Sequence, residues 1–343
     1  MSQRIEQIKN WLEQQGTTIK SFEVASNDAS FRAYFRVVFS ASDNVDLVAE
    51  KSYIVMDAPP EFEDVKPFIR IANFLESFGL NIPHIYAINE PDGFLLLGDL
   101  GRENFLDNLN KDNANALYQQ AMLALIKLQS VPEQQWLDLP DYNAQLLNQE
   151  MDLFNQWYIK IHKKQVLTHS QQQVLQQTLA YLTEQILLQP KVIVHRDYHS
   201  RNLMLVENNN PGIIDFQDAV IGPCSYDLVS LLRDSYICWP EQQVEQWVAY
   251  FHQQLLAQGI IKNCSFNTFM QWFDFMGMQR QIKVAGIFSR LYHRDGKENY
   301  LKDIPQTLAY LTKAAAKYPQ FKEFHALLLS LQGTSEIPCF TDP

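Results

Sequence analysis

The segment His195-Arg196-Asp197-Tyr198-His199-Ser200-Arg201-Asn202 has the spacing HRDxxxxN, and thirteen residues after Asn202 a hydrophobic run ends in Asp215. These residue types suit phosphoryl transfer. That chemistry needs a carboxylate beside the acceptor hydroxyl, positioned magnesium ions to neutralise phosphate charge, and a cover over the triphosphate. Asp197 is the candidate catalytic carboxylate, which orients the hydroxyl and takes its proton. The Asn202 amide oxygen and the Asp215 carboxylate are hard donors of the kind magnesium prefers. Either run alone is also an ordinary loop or an ordinary strand with a polar end; their order, with a strand and turn between them, carries the signal.

Other combinations of chemical groups point elsewhere or nowhere. His195 and His199 stand four apart, a metal-pair spacing on a helix, but a strand-and-loop context does not keep i and i+4 on one face. His195 therefore reads as a loop anchor and His199 as exposed. The four cysteines are scattered without a CxxC pair, which fits reduced thiols and no zinc site.

The elements that must position these residues fall into two halves. Ile5, Ile8, Trp11 and Leu12 recur at helical spacing before Gly16. Strand-like runs follow at Ile19–Val24, Phe31–Phe39 and Leu47–Met56. A helical pattern through Val65, Phe68, Ile69, Ala72 and Leu75 stops at Gly79, and Ile82–Ile88 with Phe94–Leu97 reads as a hairpin completing a five-stranded antiparallel sheet. Beyond Gly101 the spacing is helical, except for short strands at Val192–Val194, Leu203–Val206 and Ile213–Phe216. The expectation is an α+β fold, with a sheet-bearing nucleotide lobe over residues 1–100 and a larger, mainly α-helical catalytic lobe over 101–343.

With Ile214-Asp215-Phe216-Gln217-Asp218 supplying IDxxD after HxDxxxxN, the chain resembles the aminoglycoside phosphotransferase branch of the protein-kinase-like fold over essentially its whole length. It has no DFG, APE or GxGxxG element. The stretches Ser26–Val37, Tyr53–Glu61, Phe216–Asp234 and Met276–Lys297 are further similar to bacterial anomeric N-acetylmuramate/N-acetylglucosamine kinases. That resemblance implies ATP- and Mg2+-dependent phosphorylation of an amino sugar at its C1 hydroxyl, in cell-wall sugar recycling. The catalytic centre by itself also admits another sugar, an aminoglycoside or an amino alcohol as acceptor, and a catalytically silent nucleotide-binding regulator is the reading from a different class.

The remaining candidates are weaker signals. Asn27-Asp28-Ala29-Ser30 lacks the glycines of a phosphate cover, so the main chain near Ser30 and the Arg32 guanidinium are the candidates for phosphate, with a solvated hairpin face as the alternative for Arg32. Backbone groups around Asp99 and Leu100 are candidates for the adenine edge. The third strand lacks the lysine of kinases, Lys51 is not assigned its role, and Glu61, Glu63 and Asp64 are not assigned the partner role and read as first-turn acids that complement the helix dipole. Asp218 suits magnesium or sugar, and Asp227 suits a brace of the catalytic loop or a helix-start acid. Arg233 and Asp234 interrupt an apolar run as substrate groups or an internal ion bridge. Arg280, Lys283, Arg290 and Arg294 suit an anionic substrate, such as a sugar bearing a lactyl carboxylate, while Arg290, Arg294 and Lys297 also suit a solvated stripe.

Composition excludes some classes of function. A formal net charge of -11 opposes general binding to a phosphate backbone. The N-terminus lacks a signal-peptide core, and no apolar run reaches the ~18 to 20 residues that span a bilayer. The expectation is a cytoplasmic protein acting on a small molecule, with no nucleic-acid, membrane or obligate protein partner.

Overall fold

The computed structural model describes residues 2–27 and 31–332. It divides into two compact units, the first running through Glu103 and including Leu203–Asp218, the second comprising Asn104–Asn202 and the residues from Ala219 onward. A cut at residue 100 does not anticipate that 203–218 belongs with the first unit.

In the first unit, helix α1 (Ser2–Gln14) precedes strands β1 (Thr17–Asn27), β2 (Ala33–Ser42) and β3 (Ser52–Asp57), helix α2 (Lys66–Ser77), and strands β4 (Ile85–Asn89) and β5 (Phe94–Gly98). The five strands form one antiparallel sheet in the order β1-β2-β3-β5-β4. Gly16 turns the chain between α1 and β1 at φ +77°, a conformation that costs a side-chain-bearing residue more. Because side chains alternate along a strand, Phe35, Val37, Phe39, Tyr53, Val55, Phe94 and Leu96 make one core with Ile8, Trp11 and Leu12 of α1.

Two of the boundaries that differ from the sequence pattern have a local cause. The third strand begins at Ser52 rather than Leu47: Leu47 is buried, but Val45 and Val48 are exposed and Glu50 has φ 65°, so the segment turns instead of pairing. Strand β4 begins at Ile85 rather than Ile82, after Pro83, which has no N–H for a ladder.

The second unit contains α3 (Phe105–Asn108), α4 (Ala114–Gln129), α5 (Ala144–Leu153), α6 (His169–Leu187) and strand β6 (Lys191–Val194). Strands β7 (Leu203–Met204) and β8 (Gly212–Ile213) then pair within the first unit. The second unit resumes with β9 (Val220–Pro223), antiparallel to β6, and helices α7 (Tyr226–Leu232), α8 (Glu241–Ala257), α9 (Phe266–Asp295), α10 (Ile304–Lys317) and α11 (Lys322–Gln332). Helix α9 is buried around most of its middle and packs against α5, α6, α7 and α10. The helical spacing beyond Gly101 is not all α-helix, because α5 passes into a π-helical segment, Phe154–His162. At this junction α9 approaches through Gly286, where a Cβ would lie 2.4 Å from Leu153 C and 2.6 Å from Phe154 N. Among the described residues, no helix is long and apolar enough to cross a membrane.

Candidate active site

The catalytic loop leaves β6 and is held by its main chain. Asp227, in the first turn of α7, accepts from the N–H of His195 at 2.7 Å and of Arg196 at 3.0 Å. Burial pushes the Asp227 carboxyl up to about 7, against the pull of these two amides. Arg196 takes φ 77°, which costs a non-glycine residue ~1 to 3 kcal/mol, and its guanidinium is tied down. Its Nη2 donates to Glu150 Oε1 at 2.7 Å; the same oxygen accepts Lys283 Nζ at 2.8 Å, while Tyr142 Oη donates to Oε2. Burial opposes a charge on Glu150, but Lys283, Tyr142 and Arg196 outweigh it and hold the carboxyl below its ordinary range.

Farther along the loop, Tyr198 Oη donates to Ala121 O at 2.8 Å, and Asp234 Oδ2 accepts from both the N–H and the hydroxyl of Ser200. Asn202 Nδ2 donates to Asp197 O at 3.0 Å, so its amide oxygen is the atom it can offer a cation. The Asp197 carboxylate itself accepts no hydrogen bond among the described residues. Burial disfavours its charge, yet Lys283, His199, His195 and Arg280 together hold it below the usual carboxylate range. It is therefore an ionised oxygen base at neutral pH.

Asp197 opens onto a cavity of about 180 Å³ within the second unit, whose polar wall includes His199, Tyr236, Arg280, Lys283 and Tyr300. Val284, Ile287, Phe288 and Leu291 of α9 line its apolar side. At ~30 Å³ per water, this is room for about six waters, the scale of one sugar ring. A wider and shallower groove at Asn148, Asp152 and Thr183 has no comparable set of groups. His199, expected to be exposed, instead lines the cavity; burial lowers its pKa, so its ring is neutral.

The first unit holds the other phosphate-handling candidates. Asp215 follows β8 at φ 65° and accepts from Gln217 Nε2 at 2.7 Å. The strained turn lifts its carboxylate out of the strand pattern, which is why β8 ends at Ile213 rather than Phe216. Asp218 is exposed and electrostatically supports Arg32, whose Nη2 pairs with Glu63 at 2.9 Å. Arg32 thus belongs to an ion pair with Glu63, which pairs with this arginine and not with a lysine of the third strand. The Asp99 carboxylate is occupied by Arg36 Nε at 2.6 Å, Ser52 Oγ at 2.7 Å and Gly101 N at 2.9 Å, so only the main chain of Asp99 and Leu100 is left for a nucleotide edge. The β3 positions Ile54 and Met56 carry no cation, and Lys51 is exposed. Ser30 lies outside the described residues.

Two substrate candidates sit elsewhere. Arg233 is 3% exposed and pairs with Asp274 and Glu241, each at 3.0 Å. It is an internal ion bridge, the other reading its sequence context allowed. Asp234 braces Ser200 and also accepts from Tyr236 N at 3.0 Å, so its oxygens serve the loop rather than a ligand. Arg294, 56% exposed, pairs with its neighbour Asp295 on a solvated helix end. Sequence reasoning missed Glu150. The available signal was its place on the buried stripe with Leu147, Met151 and Phe154, where an unpaired carboxylate is not tolerated.

Residues 21–260 match the phosphotransferase enzyme family. The N-acetylmuramate/N-acetylglucosamine kinase of Pseudomonas putida is 40% identical, the alignment covering 96% of this chain and 97% of that protein. The kinase of the same name from Neisseria meningitidis is 38% identical over 98% of each chain. Among solved structures, an ADP-bound aminoglycoside phosphotransferase aligns with a TM-score of 0.60 at 17% identity, over 90% of this chain and 98% of its own. The choline kinase of Streptococcus pneumoniae aligns with a TM-score of 0.60 at 12% identity, over 92% and 99%. With its loop, its sheet-bearing unit and these near-full-length matches, the chain belongs to the phosphotransferase enzyme family and is a kinase of the protein-kinase-like α+β fold.

Proposed function

We propose that the protein transfers the terminal phosphoryl group of ATP to the anomeric C1 hydroxyl of N-acetylmuramate or N-acetylglucosamine, yielding the sugar 1-phosphate for peptidoglycan recycling in the cytoplasm. The observation that carries this reading is the ionised Asp197 carboxylate, which accepts no hydrogen bond among the described residues, at the wall of a cavity of single-sugar scale. The names of the near-full-length relatives support the acceptor.

Asp197 orients the C1 hydroxyl and accepts its proton as the oxygen attacks phosphorus. The clamp of Glu150 on Arg196 and of Asp227 on the loop amides keeps that carboxylate in place. The apolar α9 face seats the sugar and displaces water that would compete as acceptor. The Asn202 amide oxygen and the Asp215 carboxylate are each a hard oxygen donor of the kind that would hold magnesium. When bound, magnesium neutralises phosphate charge. Arg32, held by Glu63 and supported electrostatically by Asp218, turns a guanidinium to the phosphates in place of the strand lysine, and the main chain at Asp99 and Leu100 meets the adenine edge.

The test is a transfer assay with N-acetylmuramate, N-acetylglucosamine, glucosamine, choline and kanamycin, with the phosphorylated oxygen located by phosphorus-coupled NMR. Turnover of the two N-acetyl sugars with phosphate on C1 is the expected result. Failure of both, or phosphate on another oxygen, overturns the assignment.

A further inference from the structure

Arg280 is 6% exposed, lines the Asp197 cavity, and has a buried Nη1 with no hydrogen-bond partner among the described residues. A buried guanidinium without a counter-charge is costly, and removing it from water is ordinarily offset by a carboxylate. The nearby carboxylates are already engaged. Glu150 is taken by Arg196, Lys283 and Tyr142; Asp227 by two loop amides; Asp234 by Ser200 and Tyr236. Asp197 exerts a through-space attraction on Arg280 but makes no hydrogen bond to it, and its oxygens are needed for the acceptor hydroxyl. Lys283, one turn along α9, differs in having two partners, Glu150 and Tyr226. Among the described residues, Arg280 is thus a cavity cation with no hydrogen-bonding carboxylate.

We infer that Arg280 is the specificity-determining residue that reads a carboxylate on the acceptor, so that the site favours an acidic amino sugar over its neutral counterpart. This rests on the reading of the protein as an amino-sugar kinase and deepens it. N-acetylmuramate differs from N-acetylglucosamine by a lactyl ether that ends in a carboxylate. A guanidinium meets a carboxylate through two parallel N–H donors, and the match is both charged and directional. The two sugars share the N-acetyl group, and a lactyl methyl against an apolar wall separates them only weakly, whereas a carboxylate that hydrogen-bonds a buried guanidinium separates them strongly.

The experiment compares initial rates on N-acetylmuramate, its neutral carboxamide and N-acetylglucosamine, for the wild type, Arg280→Gln and Arg280→Lys. In the wild type, which needs no variant to fold, kcat/KM for the acid should exceed that for the carboxamide by about ten- to a hundred-fold. Arg280→Gln should bring that ratio close to one, mainly through KM for the acid, and Arg280→Lys should restore part of it. Equal wild-type rates on acid and carboxamide overturn the inference, as does a loss in Arg280→Gln that is the same on all three sugars, since Arg280 would then act on a part they share. Absence of transfer to either natural sugar by the wild type overturns the functional reading and this inference together. That result is seen before any variant is made.

Discussion

Glu150 Oε1 lies 2.7 Å from Arg196 Nη2, and through that contact a carboxylate on α5 holds the loop residue next to Asp197 in a left-handed backbone conformation. The same oxygen neutralises Lys283. Glu150→Gln leaves two largely buried cations sharing a neutral amide. Breaking a buried ion pair from one side costs about 3 to 5 kcal/mol, so the denaturation midpoint should fall substantially and turnover with it. An unchanged midpoint would reject the clamp.

Asp197→Asn keeps the shape of the side chain and removes the base. Turnover should drop by about two to four orders of magnitude, while calorimetric binding of ADP persists. Near-normal phosphorylation by the folded variant would remove Asp197 from the reaction.

The pH profile follows from the depressed Asp197 carboxyl. A carboxylate held low stays ionised at and above its ordinary pKa of ~3.9, and loses its charge only as pH falls through the lower folded value. The acid limb of kcat/KM assigned to it should thus lie below about pH 4, and the stability linked to it should be lost in the same direction. Lys283→Met removes the largest favourable charge and should move the acid limb to higher pH. A limb that stays in place, or moves lower, would contradict this electrostatic account.

Chelation by EDTA should abolish transfer, and added magnesium should restore it. Asp215→Asn should raise the magnesium concentration giving half-maximal rate by about ten- to a hundred-fold. A variant with wild-type magnesium dependence would place the cation elsewhere.

Gly286→Ala should force α9 away from the α5 junction, because the added Cβ meets main chain rather than a movable side chain. Overpacking of this kind costs about 1 to 3 kcal/mol. A lower melting temperature with a raised acceptor KM is expected, since α9 also carries Arg280 and Lys283. A melting temperature at or above that of the wild type would show that the helices accommodate the methyl group.

Much of the first unit was legible because alternating Phe35, Val37 and Phe39, and the stripe of Ile8, Trp11 and Leu12, encode local periods that survive in the fold. Boundaries were less legible where one residue overrode the period: Glu50 by its backbone angle and Pro83 by its missing donor. The Asp227 brace was readable as one of two alternatives, and the structure selects it through two main-chain hydrogen bonds.

What the sequence by itself determined was the chemistry on offer, because Asp197, Asn202 and Asp215 carry their donor types and their order along the chain wherever they lie. Only the tertiary structure decided which charges are answered. Arg233 and Arg280 look alike as arginines in apolar surroundings, yet Arg233 finds Asp274 and Glu241 and Arg280 finds no hydrogen-bonding carboxylate among the described residues. The Arg233–Asp274 pair joins residues 41 positions apart in a low-dielectric interior, where Coulomb and desolvation energies are large. No local pattern in the chain records that meeting.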